Sequence, residues 1–177
     1  MDIVSELLTA RGARFGEADV SQMRFDEEFR ALCEKNSCGF YGACWTCPPD
    51  AGTIDALIQK VRSFQRVLVF LTVSALEDSF DIEGMHEASL RHNELVSQVQ
   101  SAAKAQGMDC FLLGAGACGV CLTCTKRENL PCRFPDRAIT SLEACGVDVS
   151  HLARLAGLKY INGANTVTYF GALLYNP

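Results

Sequence analysis

The architecture of this chain can be predicted from residues 66–114, which read RVLVFLTVSALEDSFDIEGMHEASLRHNELVSQVQSAAKAQGMDCFLLG. Residues 67–71 form a short apolar run bounded by polar residues, which predicts a strand buried on both faces. Apolar residues then recur at helical spacing over residues 82–106, and Gly107 supplies a stop. Residues 111–113 predict a second strand, and a strand–helix–strand unit of this kind places its two strands parallel.

Four further segments extend this framework. Residues 25–34 and 53–64 carry apolar side chains at helical intervals, so each predicts an amphipathic helix. Residues 150–155 predict a short helix capped by Ser150. Residues 166–175 are β-branched and aromatic, and they predict a third strand whose direction the sequence leaves open. The predicted class is α/β or α+β, a small mixed sheet of three to five strands flanked by helices, with cysteine-rich loops at its edges.

Length and charge limit the possible partners. The chain has 177 residues and a net charge of −5, so we predict a single metal-binding domain over residues 1–177 and no nucleic-acid partner. No apolar run approaches the ~20 residues of a spanning helix, and the N-terminus lacks the features of a signal peptide. The sequence therefore predicts a cytoplasmic protein without a membrane partner.

Ten cysteines are the anomaly of this composition. In a reducing compartment, clustered cysteines are more often metal ligands or redox groups than disulfides. Eight of the ten fall into two groups, which we call the first and second cysteine segments. The first segment contains Cys33, Cys38, Cys44 and Cys47, and the second contains Cys118, Cys121, Cys124 and Cys132.

The second cysteine segment has the more diagnostic spacing. Its C-x2-C-x2-C opening matches the run of bacterial ferredoxins, although the fourth cysteine follows after seven residues, at Cys132. Zinc more often takes a C-x2-C pair from each of two separate segments. The spacing therefore favours a 4Fe–4S cluster and leaves zinc as the alternative. Four cations in or just after this loop could offset the charge of a cluster or simply be solvated: Lys126, Arg127, Arg133 and Arg137.

The first cysteine segment, C-x4-C-x5-C-x2-C, is less diagnostic. Cys44 is its doubtful member, because the other three cysteines alone could hold a cluster with one iron left open. Trp45 and Tyr41 lie near these cysteines and could shield a cluster from water or simply pack. Outside the two segments, Cys110 and Cys145 are interpreted as small buried hydrophobes and His92 as a core histidine.

Several motifs in the same order resemble a bacterial and archaeal family of predicted metal-binding proteins of unknown function. The motifs are CGFYG at 38–42, WTCPP at 45–49, CGVCLTC at 118–124, PCRFP at 131–135, and SLEA with GVDV at 141–149. The resemblance implies metal or iron–sulfur binding without an assigned reaction. The ligands that it implies are Cys33, Cys38, Cys47, Cys118, Cys121, Cys124 and Cys132. Position 44 of the family is often not cysteine, which weakens Cys44 as a ligand.

Three functional hypotheses follow. The leading one is an electron-transfer or redox-accessory protein with one or two 4Fe–4S clusters, held by the two cysteine segments. The second is an enzyme in which a cluster at Cys33, Cys38 and Cys47 presents an open iron to a small substrate. The third is a structural zinc module that holds loops for partner binding. The sequence identifies neither the redox partner nor the substrate, and an exposed closing strand at 166–175 could support a homodimer.

Overall fold

A computed structural model describes all residues from 1 to 177. The helices are α1 (Asp2–Ala10), α2 (Glu27–Glu34), α3 (Ile54–Arg62), α4 (Ile82–Ala105) and α5 (Val149–Leu155). The strands are β1 (Arg14–Asp19), β2 (Arg66–Ala75), β3 (Cys110–Gly114), β4 (Thr140–Ser141) and β5 (Thr166–Tyr175). All the helices and strands that the sequence predicts are present, and their ends lie within two residues of the predicted ones, except that β2 continues four residues further, to Ala75.

The strands form one mixed sheet in the order β1-β2-β5-β3-β4. Strands β2 and β3 both pair antiparallel with β5, which lies between them. They are therefore parallel to each other, as the strand–helix–strand pattern predicts. Strand β4 pairs parallel with β3, and β1 pairs antiparallel with β2. The predicted fold class, a small mixed sheet flanked by helices with cysteine-rich loops, is confirmed.

Strand β2 is buried on both faces, as predicted. Val67, Val69 and Leu71 belong to a core that also contains residues of α3 and α5. Leu68 and Phe70 belong to a second core, on the other face, with residues of α1 and α4. Because successive strand residues point to opposite faces, one apolar strand supplies both cores. The sheet is thus covered by two helices on each side.

The start of α5 differs from the prediction. Ser150 does not cap this helix, because the Asp148 carboxylate accepts a hydrogen bond from the His151 N–H at 2.8 Å. Ser150 lies inside the first turn, where its hydroxyl accepts from Arg154 at 3.0 Å. Asp148 is the better cap because it stands before the first helical residue and places its carboxylate beside an unpaired N–H.

Helix α1 and strand β1 are present although the sequence pattern does not predict them. The buried stripe of α1 consists of Val4 and Leu8 alone, which is too short to show a helical period. Strand β1 has the sequence RFGEAD, in which a glycine and three charged residues hide any alternation. The two acidic residues of β1 form ion pairs with the neighbouring strand β2. The Arg66 guanidinium contacts the carboxylates of Glu17 and Asp19 at 3.1 and 2.6 Å.

The closing strand is not exposed. Strand β5 occupies the centre of the sheet and is paired along its length with β2 and over part of it with β3. The expectation that this strand offers a free edge for a homodimer is therefore wrong, although the oligomeric state and the single-domain organisation stay predictions. Among the helices, none combines the length and hydrophobicity needed to cross a bilayer.

Candidate metal centres

The two cysteine segments contact each other at the surface of the fold. The first runs from the last turn of α2 towards α3, and the second lies between β3 and β4. The Trp45 indole N–H donates to the Leu130 carbonyl at 3.0 Å. The Lys126 ammonium contacts the Asp50 carboxylate at 2.5 Å, and both side chains are more than four-fifths buried. Lys126 also lies 4.5 Å from the centre of the Trp45 ring. These contacts fix one cysteine segment against the other.

The second cysteine segment is also held against α4. A side chain at Gly119 would place its Cβ 3.0 Å from the Asn93 amide nitrogen on α4. Gly116 has a φ of +68°, a backbone conformation that glycine adopts without strain. The chain can therefore turn sharply after β3 and pass close to the helix before it reaches Cys118.

Five cysteines line one small cavity of about 20 Å³. One of them is Cys44, which belongs to the first segment by sequence but lies beside the second segment in the structure. Cys44 is only 1% exposed. The indole of Trp45 forms part of the same wall. The five cysteines are Cys44, Cys118, Cys121, Cys124 and Cys132.

The other three cysteines of the first segment line a second cavity, which is much larger at about 420 Å³. These are Cys33, Cys38 and Cys47, and Tyr41 lies in the wall beside them. The structure therefore divides the eight cysteines into a set of five and a set of three. The sequence placed Cys44 in the first cysteine segment, but in the structure it lines the cavity of the second segment.

Cys44 and Cys47 connect the two cavities electrostatically. The hydrogen bond from the Cys47 thiol is the main reason that the pKa of Cys44 falls to about 5, and the Thr46 hydroxyl, 3.4 Å from its sulfur, adds to the effect. Burial opposes this shift. The same hydrogen bond, followed by burial, raises the pKa of Cys47. Without a metal, this pair therefore holds one proton and one negative charge between the two sites.

Burial raises the pKa of two further thiols in these sites. In Cys33 desolvation is the main cause, and the neighbouring Cys38 adds to it. In Cys118 desolvation is again the main cause, partly offset by backbone hydrogen bonds. Because metal ligation requires thiolates, binding at either site must release protons.

The four predicted cations divide into one that is paired and three that are not. Lys126 is the one in an ion pair, with Asp50. Arg127 donates to the Gly39 carbonyl at 3.3 Å, and Arg133 donates to the Thr123 carbonyl at 3.2 Å. The Arg137 guanidinium lies over the ring of Phe134 at 5.4 Å. Three arginines thus surround the second cysteine segment without a carboxylate partner.

Three candidate residues outside the two cysteine segments, Cys145, Cys110 and His92, lie away from both cysteine-lined cavities. Cys145 is fully buried in the core, and burial raises its pKa to about 12. Cys110 lies in β3, half-buried, and lines neither cysteine cavity. His92 is fully buried, its Nδ1 lies 2.9 Å from the Thr72 hydroxyl, and burial lowers its pKa to about 4. The interpretation as core residues is confirmed for Cys145 and His92, whereas Cys110 is only partly buried and packs against the edge of the core.

Sequence reasoning missed Glu143 as a site residue. It follows Leu142, which is fully buried, yet its own side chain lines the larger cavity with the three cysteines. Burial raises the pKa of its carboxyl group. The signal was available, because an acidic residue within the apolar stretch SLEACGV has few structural reasons to be there.

The thiols surround their cavities and do not meet at a point. No three side chains of His, Cys, Asp or Glu converge closely enough to coordinate one metal ion. A zinc ion needs its four ligands at about 2.0–2.3 Å from a single centre. A 4Fe–4S cluster instead takes one thiolate on each of several irons.

The fold and these two thiol-lined cavities define a cysteine-rich α/β protein of the metal-binding class. The profile of a family described as "Predicted metal-binding protein (DUF2284)" matches residues 17–175, from within β1 to the last residue of β5. The chain belongs to this family, and the resemblance noted from its motifs is confirmed. A search of curated proteins and a search of solved structures gave no match.

Proposed function

We propose that this chain is an iron–sulfur protein that carries a 4Fe–4S cluster in the second cysteine segment and takes part in electron transfer or a related redox role. The observation that carries the proposal is the cavity lined by five cysteines. Three of them have the C-x2-C-x2-C spacing that opens the cluster-binding run of bacterial ferredoxins, and Cys132 supplies a fourth thiol from the same segment. Cys44 adds a fifth thiol from a neighbouring loop, so this site has more ligands than one cluster needs.

The surroundings of this cavity suit a redox centre. Trp45 and Phe134 are among its walls and would limit the access of water to a bound cluster. Arg127 and Arg133, which have no carboxylate partner, would offset the negative charge of four thiolates. Leu122 is fully exposed between two of the cysteines, so the loop reaches the surface where another protein can approach. A bound cluster would supply one-electron chemistry at this position.

A second function is favoured by the larger cavity. Cys33, Cys38 and Cys47 provide three thiols where a full cluster would need four. A cluster held there would leave one iron without a cysteine, facing a space of about 420 Å³. This arrangement supports an enzyme that acts on a small molecule, as the alternative to a carrier of electrons only. Tyr41 and Glu143 would then line the substrate space with the three cysteines.

The cellular setting is part of the same proposal. Ten thiols without a disulfide suit a reducing compartment, so we place the protein in the cytoplasm. The net charge of −5 argues against a nucleic-acid partner, and the partner of the leading function is a redox protein.

The decisive experiment measures iron, acid-labile sulfide and zinc per chain on protein purified without oxygen. Two full clusters give about eight irons and eight sulfides, whereas a cluster in the second segment alone gives about four of each. The double variant C121S/C124S should lose the iron of the second segment, about four per chain. A double variant is needed because Cys44 could replace a single missing ligand in the same cavity.

Cys110→Ser is the matched control, because Cys110 lines neither cavity. It should keep the wild-type iron content. Zinc in place of iron and sulfide, with a colourless protein that a chelator unfolds, would refute the proposal and indicate a structural zinc module.

A further inference from the structure

The three cysteines form only part of the lining of the larger cavity. It lies between α2, the first cysteine segment, the turn after β3 and strand β5. Its volume of about 420 Å³ falls within the range of about 300–1,000 Å³ that is typical of small-molecule sites. A cavity of this size can hold a small molecule as well as present its three cysteines.

Aromatic side chains form much of the wall of this cavity. Tyr160 and Phe170 are stacked, with ring centres 5.6 Å apart and an angle of 19° between the ring planes. Tyr160 is half exposed, so it stands where the cavity meets solvent. Phe29 and Tyr41 contribute further rings from the other side. A planar aromatic molecule is the shape that such a wall binds best.

The polar groups of the cavity include a carboxyl group but no cation. Glu143 is the one carboxylic acid in the lining, and no Lys, Arg or His lines the space. Glu143 takes part in no ion pair. The arginine of this region, Arg30, instead donates to the backbone carbonyls of Ala144 and Gly52. A half-buried carboxyl group without a cation attracts N–H donors and repels anions.

We propose that this cavity binds a small aromatic molecule with an N–H donor head group, whose ring contacts Tyr160 and Phe170 and whose head group donates to Glu143. The inference rests on the proposed function only in one respect, that the ligand lies beside a cluster held by Cys33, Cys38 and Cys47. It adds the chemical class of the substrate or regulator to that alternative function.

The test uses three probes of nearly equal size and shape: 2-naphthamidine, 2-naphthamide and 2-naphthoate. Binding is measured by titration calorimetry and by saturation transfer to the probe in NMR, on protein whose iron and sulfide content is known. We expect the amidine to bind most tightly, the amide more weakly, and the carboxylate not to bind. Equal binding of the carboxylate, or no binding of any probe to fully loaded protein, would overturn the inference.

Two variants locate the site. Glu143→Gln should reduce the preference for the amidine over the amide about tenfold, because it removes a charge-assisted hydrogen bond. Tyr160→Ala should weaken the amidine and the amide about equally, by about three- to tenfold, because it removes a stacking partner shared by both. Tyr160 is half exposed, so this variant stays folded even if Glu143→Gln does not. The control is Glu128→Gln, an exposed residue outside the cavity, which should change nothing. If both cavity variants bind like wild type, the inference is wrong.

The same measurements separate this inference from the proposed function. Protein without iron or sulfide that still binds the probes in the stated order would refute the cluster and keep the cavity as a ligand site. Protein with full clusters that binds no probe would do the reverse.

Discussion

The two cysteine-lined cavities differ in the balance between thiols and space. The smaller one has five cysteines around about 20 Å³, and the larger one has three around about 420 Å³. A site with surplus ligands can saturate a metal centre and is suited to holding it or passing electrons. A site with too few ligands and much apolar space is suited to binding something else as well. The same chain thus combines a small, cysteine-rich cavity and a large, open one.

The boundary between the two sites runs through four residues, C-W-T-C at 44–47. Cys44 lies on the side of the small cavity, and Cys47 on the side of the large one. The C-x2-C spacing, which in a zinc site directs both thiols to one ion, here directs them to different cavities. The difference between the sites can therefore be tested at these two cysteines.

The largest expected effect is on iron content. Cys47→Ser leaves the larger cavity with two cysteines, so in protein that carries about eight irons we expect loss of the cluster in that cavity and of about half of the iron. Cys44→Ser leaves the smaller cavity with four cysteines, and we expect no loss. The two variants are matched controls for each other and are compared by iron and sulfide analysis. A loss of iron in C44S that equals the loss in C47S would instead place both cysteines in one centre.

A smaller effect concerns the pH dependence of stability in metal-free protein. The pKa of Cys44 is about 5 in the folded chain and 9.0 ordinarily, so between these values the unfolded chain holds a proton that the folded chain has released. Stability should therefore rise with pH from about 5 to 9, by no more than about 1.4 kcal/mol per pH unit. As the pH falls through 5 this contribution is lost. Above about pH 9 the raised pKa of Cys47 makes stability fall again, because there the unfolded chain loses a proton that folded Cys47 keeps.

Urea unfolding of reduced, metal-free protein at several pH values measures this effect. Cys44→Ala should flatten the rise of the free energy of unfolding between pH 5 and 9. Cys110→Ala removes a thiol that lines neither cavity and should leave the slope unchanged. An unchanged slope in C44A would mean that Cys44 is an ordinary thiol and that the link between the two sites is absent.

The framework of this fold could be predicted because it rests on local periodicity. Strand β5 and helix α4 carry their patterns within their own residues, and their predicted bounds agree with the structure to within a residue. The insertion of β5 between β2 and β3 could not be predicted, because pairing over so long a sequence separation leaves no local signal. The same limit produced the wrong expectation of an exposed closing strand.

The cysteines that line the two cavities could be selected from the sequence, but the cavity that each of them lines could not. Spacing identified the eight cysteines, since close repetition is a local signal. The side on which Cys44 lies depends on how two loops contact each other, through pairs such as Lys126 and Asp50 that are far apart in sequence. Glu143 was missed because a single carboxylate has no spacing to recognise. The position of Cys44 and the place of Glu143 in the cavity therefore become visible only in the folded structure.

The smallest expected effect compares one aromatic residue from each cavity. Trp45→Phe removes the hydrogen bond from the indole N–H to the Leu130 carbonyl, which joins the two cysteine segments, and should lower the free energy of unfolding by about 1 kcal/mol. Tyr41→Phe is the matched control, because Tyr41 lines the larger cavity and the variant keeps the hydrogen bond from its backbone N–H to the Asn36 side chain; its effect should stay below about 0.5 kcal/mol. Urea unfolding of metal-free protein is followed by circular dichroism, because Trp45 is the only tryptophan and its fluorescence is lost in the variant. A closed site should be sensitive to the contacts of its wall, and an open one should not. Equal effects of the two changes would show that the small cavity owes nothing to the junction between the segments.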